Sequence, residues 1–245
     1  AALERVDDIL YTPPDRPEGA AGARPPEGAP ALSVRDLTFA WPDAPESPAL
    51  EGVSFDLPAG ATLGVLGATG AGKSTLVRLL TRLANPPRGA VFIDGVDVLD
   101  LDLDAWRRRV ACVPQRAFLF SEPLADNILL GASDARLAET LALTTLDVDV
   151  AALPHGLQTV VGESGLLLSG GQRQRAALAR GLVREPGLLI LDDVLSAVDH
   201  ETEARILDGL RARARAQTTV VIANRLSALR HADLILVLDH GRVVD

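Results

Sequence analysis

Residues 62–75 read TLGVLGATGAGKST, a short apolar strand followed by a glycine-rich turn and the start of a helix. Within this stretch, residues 67–74 fit the pattern G-x-x-x-x-G-K-[ST], whose expected context is a preceding strand and a following helix. The glycines allow the backbone to curl so that successive N–H groups point at one anion. The N-terminus of the helix adds unpaired donors and a partial positive charge. The stretch therefore predicts a phosphate-binding loop at the end of a buried strand.

The lysine of this loop is the single lysine of the chain, Lys73, beside 23 arginines. At this position a compact ammonium group reaches the β- and γ-phosphates of a nucleotide, and the hydroxyl of the next residue, Ser74, is typical of an Mg²⁺ ligand. We predict nucleotide contacts along the loop and the residue after it, namely at Gly67, Ala68, Thr69, Gly70, Ala71, Gly72, Lys73, Ser74 and Thr75.

A second stretch, residues 188–193, is an apolar strand that ends in two carboxylates. Ligands of open parallel sheets bind at the carboxyl ends of the strands. Carboxylate oxygens are ligands that Mg²⁺ accepts. We therefore expect Asp192 to hold Mg²⁺ beside the phosphate-binding loop.

Composition favours a folded α/β protein. Of 245 residues, 47% are hydrophobic, and short β-rich runs alternate with helical patterns, which predicts a parallel sheet covered by helices on both faces. Two early runs, Leu32–Phe39 and residues 53–57, alternate like strands of an antiparallel sheet. The net charge of −9 argues against nucleic acid as a partner. The single cysteine, Cys112, excludes a disulfide within the chain and is expected to be a small core residue on a strand.

The N-terminal part differs in composition from the rest. Residues 1–10 have apolar residues at helical spacing, as at the end of a preceding helix. Residues 11–30 are rich in Pro, Gly and Ala and are predicted to be a linker without fixed structure. We assign residues 1–31 to this helix end and linker and residues 32–245 to the compact domain. The chain has no methionine and no apolar run near the ~20 residues that span a bilayer, and we expect it to be cut from a longer protein.

Upstream of the acidic strand, residues 168–172 read LSGGQ, which resembles the signature of ATP-binding cassette (ABC) proteins. Four further segments resemble the aromatic A-loop, Q-loop, D-loop and switch of that family, and they contain Trp41, Gln115, Asp199 and Asn224 respectively. The resemblance covers residues 32–245. It implies a P-loop NTPase core with a parallel sheet, an N-terminal antiparallel β subdomain, and a helical subdomain at about residues 120–180 that carries the signature.

The subtype is also indicated. Residues 161–165, VGESG, resemble a segment of ABC exporters that contacts the membrane domain, and residues 120–128 resemble the exporter pattern as well. The resemblance implies the nucleotide-binding domain of an exporter half-transporter, joined to a membrane-spanning domain and located at the cytoplasmic face of the cell membrane.

The family resemblance implies ATP and Mg²⁺ as ligands and a second nucleotide-binding domain as partner. Two such domains pair head to tail, so that the signature of one contacts ATP held by the loop of the other. The cofactor-binding residues implied outside the phosphate-binding loop are Trp41, Ser169, Gly170, Gly171, Gln172 and Asp199. Those implied for Mg²⁺ are Ser74, Gln115 and Asp192.

Two residues depart from the family pattern. The family usually has a glutamate after the Mg²⁺ aspartate and a histidine at the switch, where this chain has Asp193 and Asn224. Asp193 is shorter by one methylene, and Asn224 cannot carry a proton's charge. With Gln115, these residues form the implied catalytic set. We predict slow ATP hydrolysis at this site, low activity of the isolated chain, and a likeness to the degenerate subunit of a heterodimeric exporter.

Besides a regulatory domain that holds ATP in order to stabilise the dimer, three alternatives stay open. The first is an active homodimeric exporter in which both substitutions are tolerated. The second is a soluble ABC protein acting on DNA or ribosomes, against which the net charge and the exporter-like segment count. The third is the ATPase of an importer.

Overall fold

The computed structural model describes residue 11 and residues 22–162, 168–196, 198–213 and 216–244. The expected helix end at residues 1–10 and most of the exporter-like segment, residues 163–165, lie outside the described residues.

The strands are β1 (Leu32–Phe39), β2 (Leu50–Leu57), β3 (Thr62–Gly67), β4 (Val91–Ile93), β5 (Val96–Asp97), β6 (Val110–Val113), β7 (Glu122–Pro123), β8 (Val160–Val161), β9 (Leu188–Asp192), β10 (Thr218–Ala223), β11 (Leu234–Asp239) and β12 (Arg242–Val243). The helices are α1 (Lys73–Leu80), α2 (Leu103–Arg109), α3 (Leu124–Leu129), α4 (Leu137–Leu143), α5 (Leu146–Ala152), α6 (Gly170–Leu182) and α7 (His200–Ala212). Short 3₁₀ turns lie at Asp134–Arg136, Gly156–Gln158 and Leu226–Leu229.

The central sheet has the order β12-β11-β3-β10-β9-β6. Its four inner pairings from β11 to β6 are parallel, and β12 pairs antiparallel with β11 at one edge. Every residue of β10 is buried, as expected for a strand covered on both faces. The predicted parallel sheet is confirmed, and its strand order places β3, β10, β9 and β6 side by side.

A second, antiparallel sheet has the order β2-β1-β4-β5. Apolar side chains of β1 and β2 pack with those of β3 and α1 in one continuous core. The predicted antiparallel part is therefore confirmed, and it covers one side of the phosphate-binding loop.

The helical part has an apolar core of its own. Residues of α3, α4, α5 and α6 form this separate cluster. Helix α6 joins it to the central sheet, because Ala176 and Ala179 face the helical cluster while Leu178 and Leu182 pack in the cluster beneath β9 and β10. The short helix α5 was not predicted from the sequence.

The expectation that residues 22–30 lack fixed structure is wrong. The Ala23 N–H donates to the Asp100 carbonyl at 2.8 Å, and the Arg109 guanidinium donates to the Gly28 carbonyl at 2.7 Å. These backbone groups find partners on the domain surface, which the high Pro and Gly content did not reveal.

The core position expected for Cys112 is also wrong, since Cys112 is exposed on the edge strand β6. Among the described residues, no helix has the length and apolarity needed to cross a bilayer.

Candidate nucleotide-binding site

The phosphate-binding loop connects β3 to α1, and its glycines are required by space as well as by conformation. Gly72 has φ of 101°, and a Cβ at this position would lie 2.5 Å from the Ala49 carbonyl oxygen. A Cβ at Gly67 would lie 2.4 Å from the Leu238 carbonyl oxygen. Because the loop is pressed between β2 and β11, its N–H groups are held in a fixed curl.

Lys73 is folded back over this loop. Its Nζ donates to the Gly67 carbonyl at 2.5 Å and to the Ala68 carbonyl at 2.9 Å. The ammonium group thus lies above the curled backbone, where the positive charge of the helix N-terminus adds to its own. This arrangement is suited to a polyanion.

A cavity of about 250 Å³ opens beside the loop. Its lining contains loop and helix residues and the ends of the neighbouring strands: Ala49, Thr69, Gly70, Gly72, Lys73, Ser74, Thr75, Gln115, Asp192, Asp193, Ile222 and Asn224. The structure therefore brings together the predicted loop, the predicted Mg²⁺ residues and the predicted catalytic set. Sequence reasoning missed Ala49 and Ile222, which carry no motif and enter through the strand pairing alone.

Residues that follow three strands are joined by hydrogen bonds to one carboxylate oxygen in this cavity, Asp193 Oδ2. Gln115 Nε2 donates to Asp193 Oδ2 at 3.0 Å, and Asn224 Nδ2 donates to the same oxygen at 3.2 Å. These residues follow β6, β9 and β10, which are neighbours in the sheet. The side chain of Asp193 is thus held on both sides by neutral amides.

The backbone of Asp193 is left-handed, with φ of 50°. For a residue with a Cβ this conformation costs about 1–2 kcal/mol. The Asp193 N–H donates to the Ile222 carbonyl at 2.9 Å, and Ser196 Oγ donates to the Asp193 carbonyl at 2.8 Å. These bonds offset the strain and fix where the carboxylate points.

The oxygen atoms around Asp192 suit a divalent cation. Burial raises the pKa of Asp192, the neighbouring Asp193 carboxylate raises it further, and Lys73 lowers it. A cation would stabilise the charge that Asp192 carries beside Asp193. Together with the Ser74 hydroxyl and the Gln115 side-chain carbonyl, Asp192 provides the hard oxygen donors that Mg²⁺ takes. The residues present therefore fit this ion.

Trp41 lies just beyond β1, against α1 rather than in the cavity lining. Its indole Nε1 donates to Thr75 Oγ1 at 3.3 Å, and its ring meets Phe39 edge-on with centroids 5.0 Å apart. The Arg78 guanidinium lies 5.3 Å from the ring centroid. The ring is thus held in place beside the phosphate-binding loop, with its exposed part available to a nucleobase.

The signature residues are not in this cavity. Ser169 caps α6 in a capping box with Gln172: Gln172 N–H donates to Ser169 Oγ at 3.2 Å, and Ser169 N–H donates to Gln172 Oε1 at 2.8 Å. Ser169 and Gly170 are exposed, and a Cβ at Gly170 would meet nothing within 4 Å. The N-terminus of α6 is therefore exposed and not covered by other parts of the described chain.

Asp199 lies at the start of α7. Its Oδ1 accepts a hydrogen bond from the Thr202 N–H at 2.9 Å, and this bond lowers the pKa of Asp199. In the single chain Asp199 is a helix cap and is absent from the cavity lining.

Comparison with known proteins places these observations in a family. The family model described as ABC transporter matches residues 50–196. The chain is 40% identical over 248 residues to the mycobactin import ATP-binding/permease protein IrtB of Mycobacterium tuberculosis H37Rv, covering 100% of this chain and 42% of that protein. It is 42% identical over 246 residues to the multidrug resistance-like ATP-binding protein MdlA of Escherichia coli K12, covering 99% of this chain and 41% of that protein.

Two further similarities agree. The chain is 40% identical over 248 residues to the ATP-dependent lipid A-core flippase of Haemophilus influenzae, covering 99% of this chain and 42% of that protein. A solved bacterial Atm1-family ABC exporter with ATP bound superposes with a TM-score of 0.91 at 35% identity, covering 99% of this chain and 43% of that one. The chain spans about two fifths of the length of the curated relatives it matches.

Proposed function

The chain belongs to the ABC transporter family, and from this premise we propose that it is the nucleotide-binding domain of an ABC exporter. In this proposal, ATP with Mg²⁺ lies between the phosphate-binding loop of one domain and the signature of a second. Binding brings the two domains together, and hydrolysis releases them.

The observation that carries the proposal is the separation of the two half-sites. The cavity beside Lys73 has phosphate, cation and water-positioning groups but none of the residues from Ser169 to Gln172. Those residues lie at a helix start where Ser169 and Gly170 are exposed. Each chain therefore offers two incomplete halves, and a head-to-tail pair would complete both.

The proposed partners are a second nucleotide-binding domain and a membrane-spanning domain of the same parent protein, with the chain at the cytoplasmic face of the cell membrane. Support comes from the names of relatives, which include ATP-binding/permease proteins more than twice the length of this chain. We propose no nucleic acid partner, on the ground of the net charge of −9.

We further propose that this chain's own site hydrolyses ATP slowly and that its partner is not identical. Asp193 Oδ2 already accepts two amide hydrogen bonds, at 3.0 and 3.2 Å, so it is a weaker acceptor for an attacking water. Asn224 supplies no group that can take up positive charge. The signature, by contrast, has its capping box intact and would serve the partner's site.

Two substitutions in the full-length transporter test this proposal. Lys73→Ala disables the phosphate-binding loop of this chain, whereas Ser169→Ala removes a hydroxyl donor from the site on the partner. We expect Ser169→Ala to lower steady-state ATP turnover by ~10²-fold, as for loss of one donor to developing charge, and Lys73→Ala to lower it far less.

Equal, near-complete losses from both substitutions would favour the active homodimer instead. A purified homodimer of the unmodified protein with turnover at ordinary exporter rates would refute the slow site directly. ATP binding should be followed beside turnover, because Lys73→Ala removes one of two nucleotide sites when the partner is not identical and both sites in a homodimer.

Import is the second candidate for the transport direction. It is favoured by the 40% sequence identity to IrtB, which is named as a mycobactin import protein. Proteoliposomes separate the two directions. Only molecules with the nucleotide-binding domains outside can use external ATP, so export appears as accumulation of cargo in the lumen and import as its loss.

A further inference from the structure

We propose that Asp149, on the short helix α5, is a positioning residue for the signature: its carboxylate orients the Gln172 amide, which holds Ser169 with its hydroxyl hydrogen directed outward. This inference rests on the proposed function, in which Ser169 contacts a nucleotide held by the partner.

The Asp149 carboxylate bridges two turns of α6. Gln172 Nε2 donates to Asp149 Oδ1 at 2.8 Å, and Arg175 Nη2 donates to Asp149 Oδ2. The side chains of Asp149 and Arg175 are only 18% and 13% exposed. Hydrogen bonds to a charged group are stronger than neutral ones, and this shielding protects them from water.

A side-chain amide has a donor end and an acceptor end, and a carboxylate accepts only. Asp149 therefore fixes which end of the Gln172 amide faces it. With Nε2 toward Asp149, Gln172 Oε1 faces Ser169 and accepts from the Ser169 N–H at 2.8 Å. In the flipped orientation, two oxygens would face each other and the Ser169 N–H would face a donor.

The side-chain amide of Gln172 thus holds the Ser169 backbone, and the Gln172 backbone N–H binds the Ser169 hydroxyl. Ser169 Oγ accepts from the Gln172 N–H at 3.2 Å, so the hydroxyl is held as an acceptor on the helix side. Its own hydrogen is left to donate away from the helix, where Ser169 is exposed. A hydroxyl fixed in this way is prepared to donate to a phosphate oxygen.

Helix α5 has an apolar attachment as well, since Leu146 is buried and Val150 packs against the core of the helical part, while Val148 is 70% exposed. Asp149 adds a polar attachment of α5 to the helix that begins with the signature. A motion of α5 would pass to Ser169 through Gln172.

The test uses the full-length transporter with its partner and fluorescent labels on the two nucleotide-binding domains. The measured quantity is the ATP concentration that gives half-maximal closure. We expect Asp149→Ala to raise it about tenfold, the size expected for loss of a hydrogen bond to a charged group. Asp149→Asn should give a smaller shift, since its Oδ1 can still accept from Gln172. Binding of ADP to the phosphate-binding loop should stay unchanged.

Two controls distinguish positioning from general stability. Glu139→Ala removes a carboxylate of neighbouring α4 that pairs with Arg136 at 2.6 Å and with Arg213 at 3.6 Å, and it should leave closure unchanged. In a Gln172→Ala background, Asp149→Ala should have no further effect, because its action passes through that amide. If Asp149→Ala fails to fold, Asp149→Asn takes its place, and its effect on closure should likewise vanish in the Gln172→Ala background.

The outcomes separate this inference from the proposed function. If Ser169→Ala leaves closure unchanged, the completion of the partner's site by the signature is wrong. If Ser169→Ala impairs closure while the Asp149 variants do not, or if the effects of Asp149 and Gln172 simply add, the positioning role alone is refuted.

Discussion

Replacing Asp193 by Glu and Asn224 by His together is expected to speed ATP hydrolysis at this chain's own site. The added methylene moves the carboxylate outward by ~1.5 Å, and a misplacement of ~1 Å can cost ~10²-fold in rate. A positioned general base contributes ~10²–10⁴-fold in all. We therefore expect a gain of about 10²-fold, which corresponds to about 2.7 kcal/mol of activation free energy.

The assay is a single turnover of radiolabelled ATP, with Mg²⁺ and the full-length protein paired with its partner and in excess over ATP. All proteins compared carry Ser169→Ala, which slows hydrolysis at the partner's site, so that the measured rate reports this chain's own site. The matched control is Asp104→Glu, the same chemical change at an exposed position in the first turn of α2. Melting temperature and ATP affinity are followed in parallel, so that a changed rate can be assigned to the chemical step.

The single variants report on the coupling. Because Gln115 and Asn224 both donate to Asp193 Oδ2, each substitution changes the surroundings of the other. We expect the double variant to exceed the product of the two single effects. We attribute the slow hydrolysis at this site to the short side chain of Asp193 and to the inability of Asn224 to carry a proton. This attribution would be refuted by a double variant that hydrolyses ATP within about twofold of the rate of the unmodified protein, with folding and ATP affinity preserved.

Three further predictions concern binding and stability. Burial and a neighbouring carboxylate raise the pKa of Asp192, so its ionised form destabilises the fold above that pKa and the penalty is lost as pH falls. Asp192→Asn should therefore raise the melting temperature of the nucleotide-free protein at pH 7 while weakening Mg²⁺-dependent ATP binding. Gly72→Ala should lose more melting temperature than Gly95→Ala, because both have positive φ but only Gly72 would press a Cβ to 2.5 Å from the Ala49 oxygen. Trp41→Ala should weaken ATP binding roughly tenfold, and Trp41→Phe should weaken it less. The affinity for tripolyphosphate, which has no base, should not change; if Trp41→Ala weakened binding of ATP and of tripolyphosphate equally, stacking on the base would be refuted.

The local part of the site was predictable because each motif carries its own geometry. A loop with Gly67, Gly72 and Lys73 between a strand and a helix specifies an anion site without knowledge of the rest of the chain. The fold class followed from alternating short strands and helices, and both sheets are confirmed. Helix α1 stops at Leu80 and Arg82 turns left-handed, an end that the loop motif does not specify.

The unpredicted parts depend on contacts between distant segments. Composition indicates a flexible linker at residues 22–30, and only the folded surface supplies the Asp100 carbonyl and the Arg109 guanidinium that hold it. In the same way, nothing near Asp149 indicates that its carboxylate meets Gln172, because the packing of α5 on α6 decides it. Exposure of Cys112 follows from the place of β6 at the edge of the sheet, which the sequence of one strand does not contain.

The order of the sheet shows how the residues of the proposed catalytic set depend on one another. The four strands β3, β10, β9 and β6 lie side by side, and the chain continues from their ends into the phosphate-binding loop, Asn224, Asp193 and Gln115 in that spatial order. Among these residues, Asp193 alone accepts hydrogen bonds from the neighbours on both sides, Gln115 and Asn224. The length of the Asp193 side chain therefore sets where the two amides lie. A longer carboxylate on the same left-handed backbone would lose the hydrogen bond from at least one of the two amides. The amide side chain that loses this bond would then be free to contact the nucleotide.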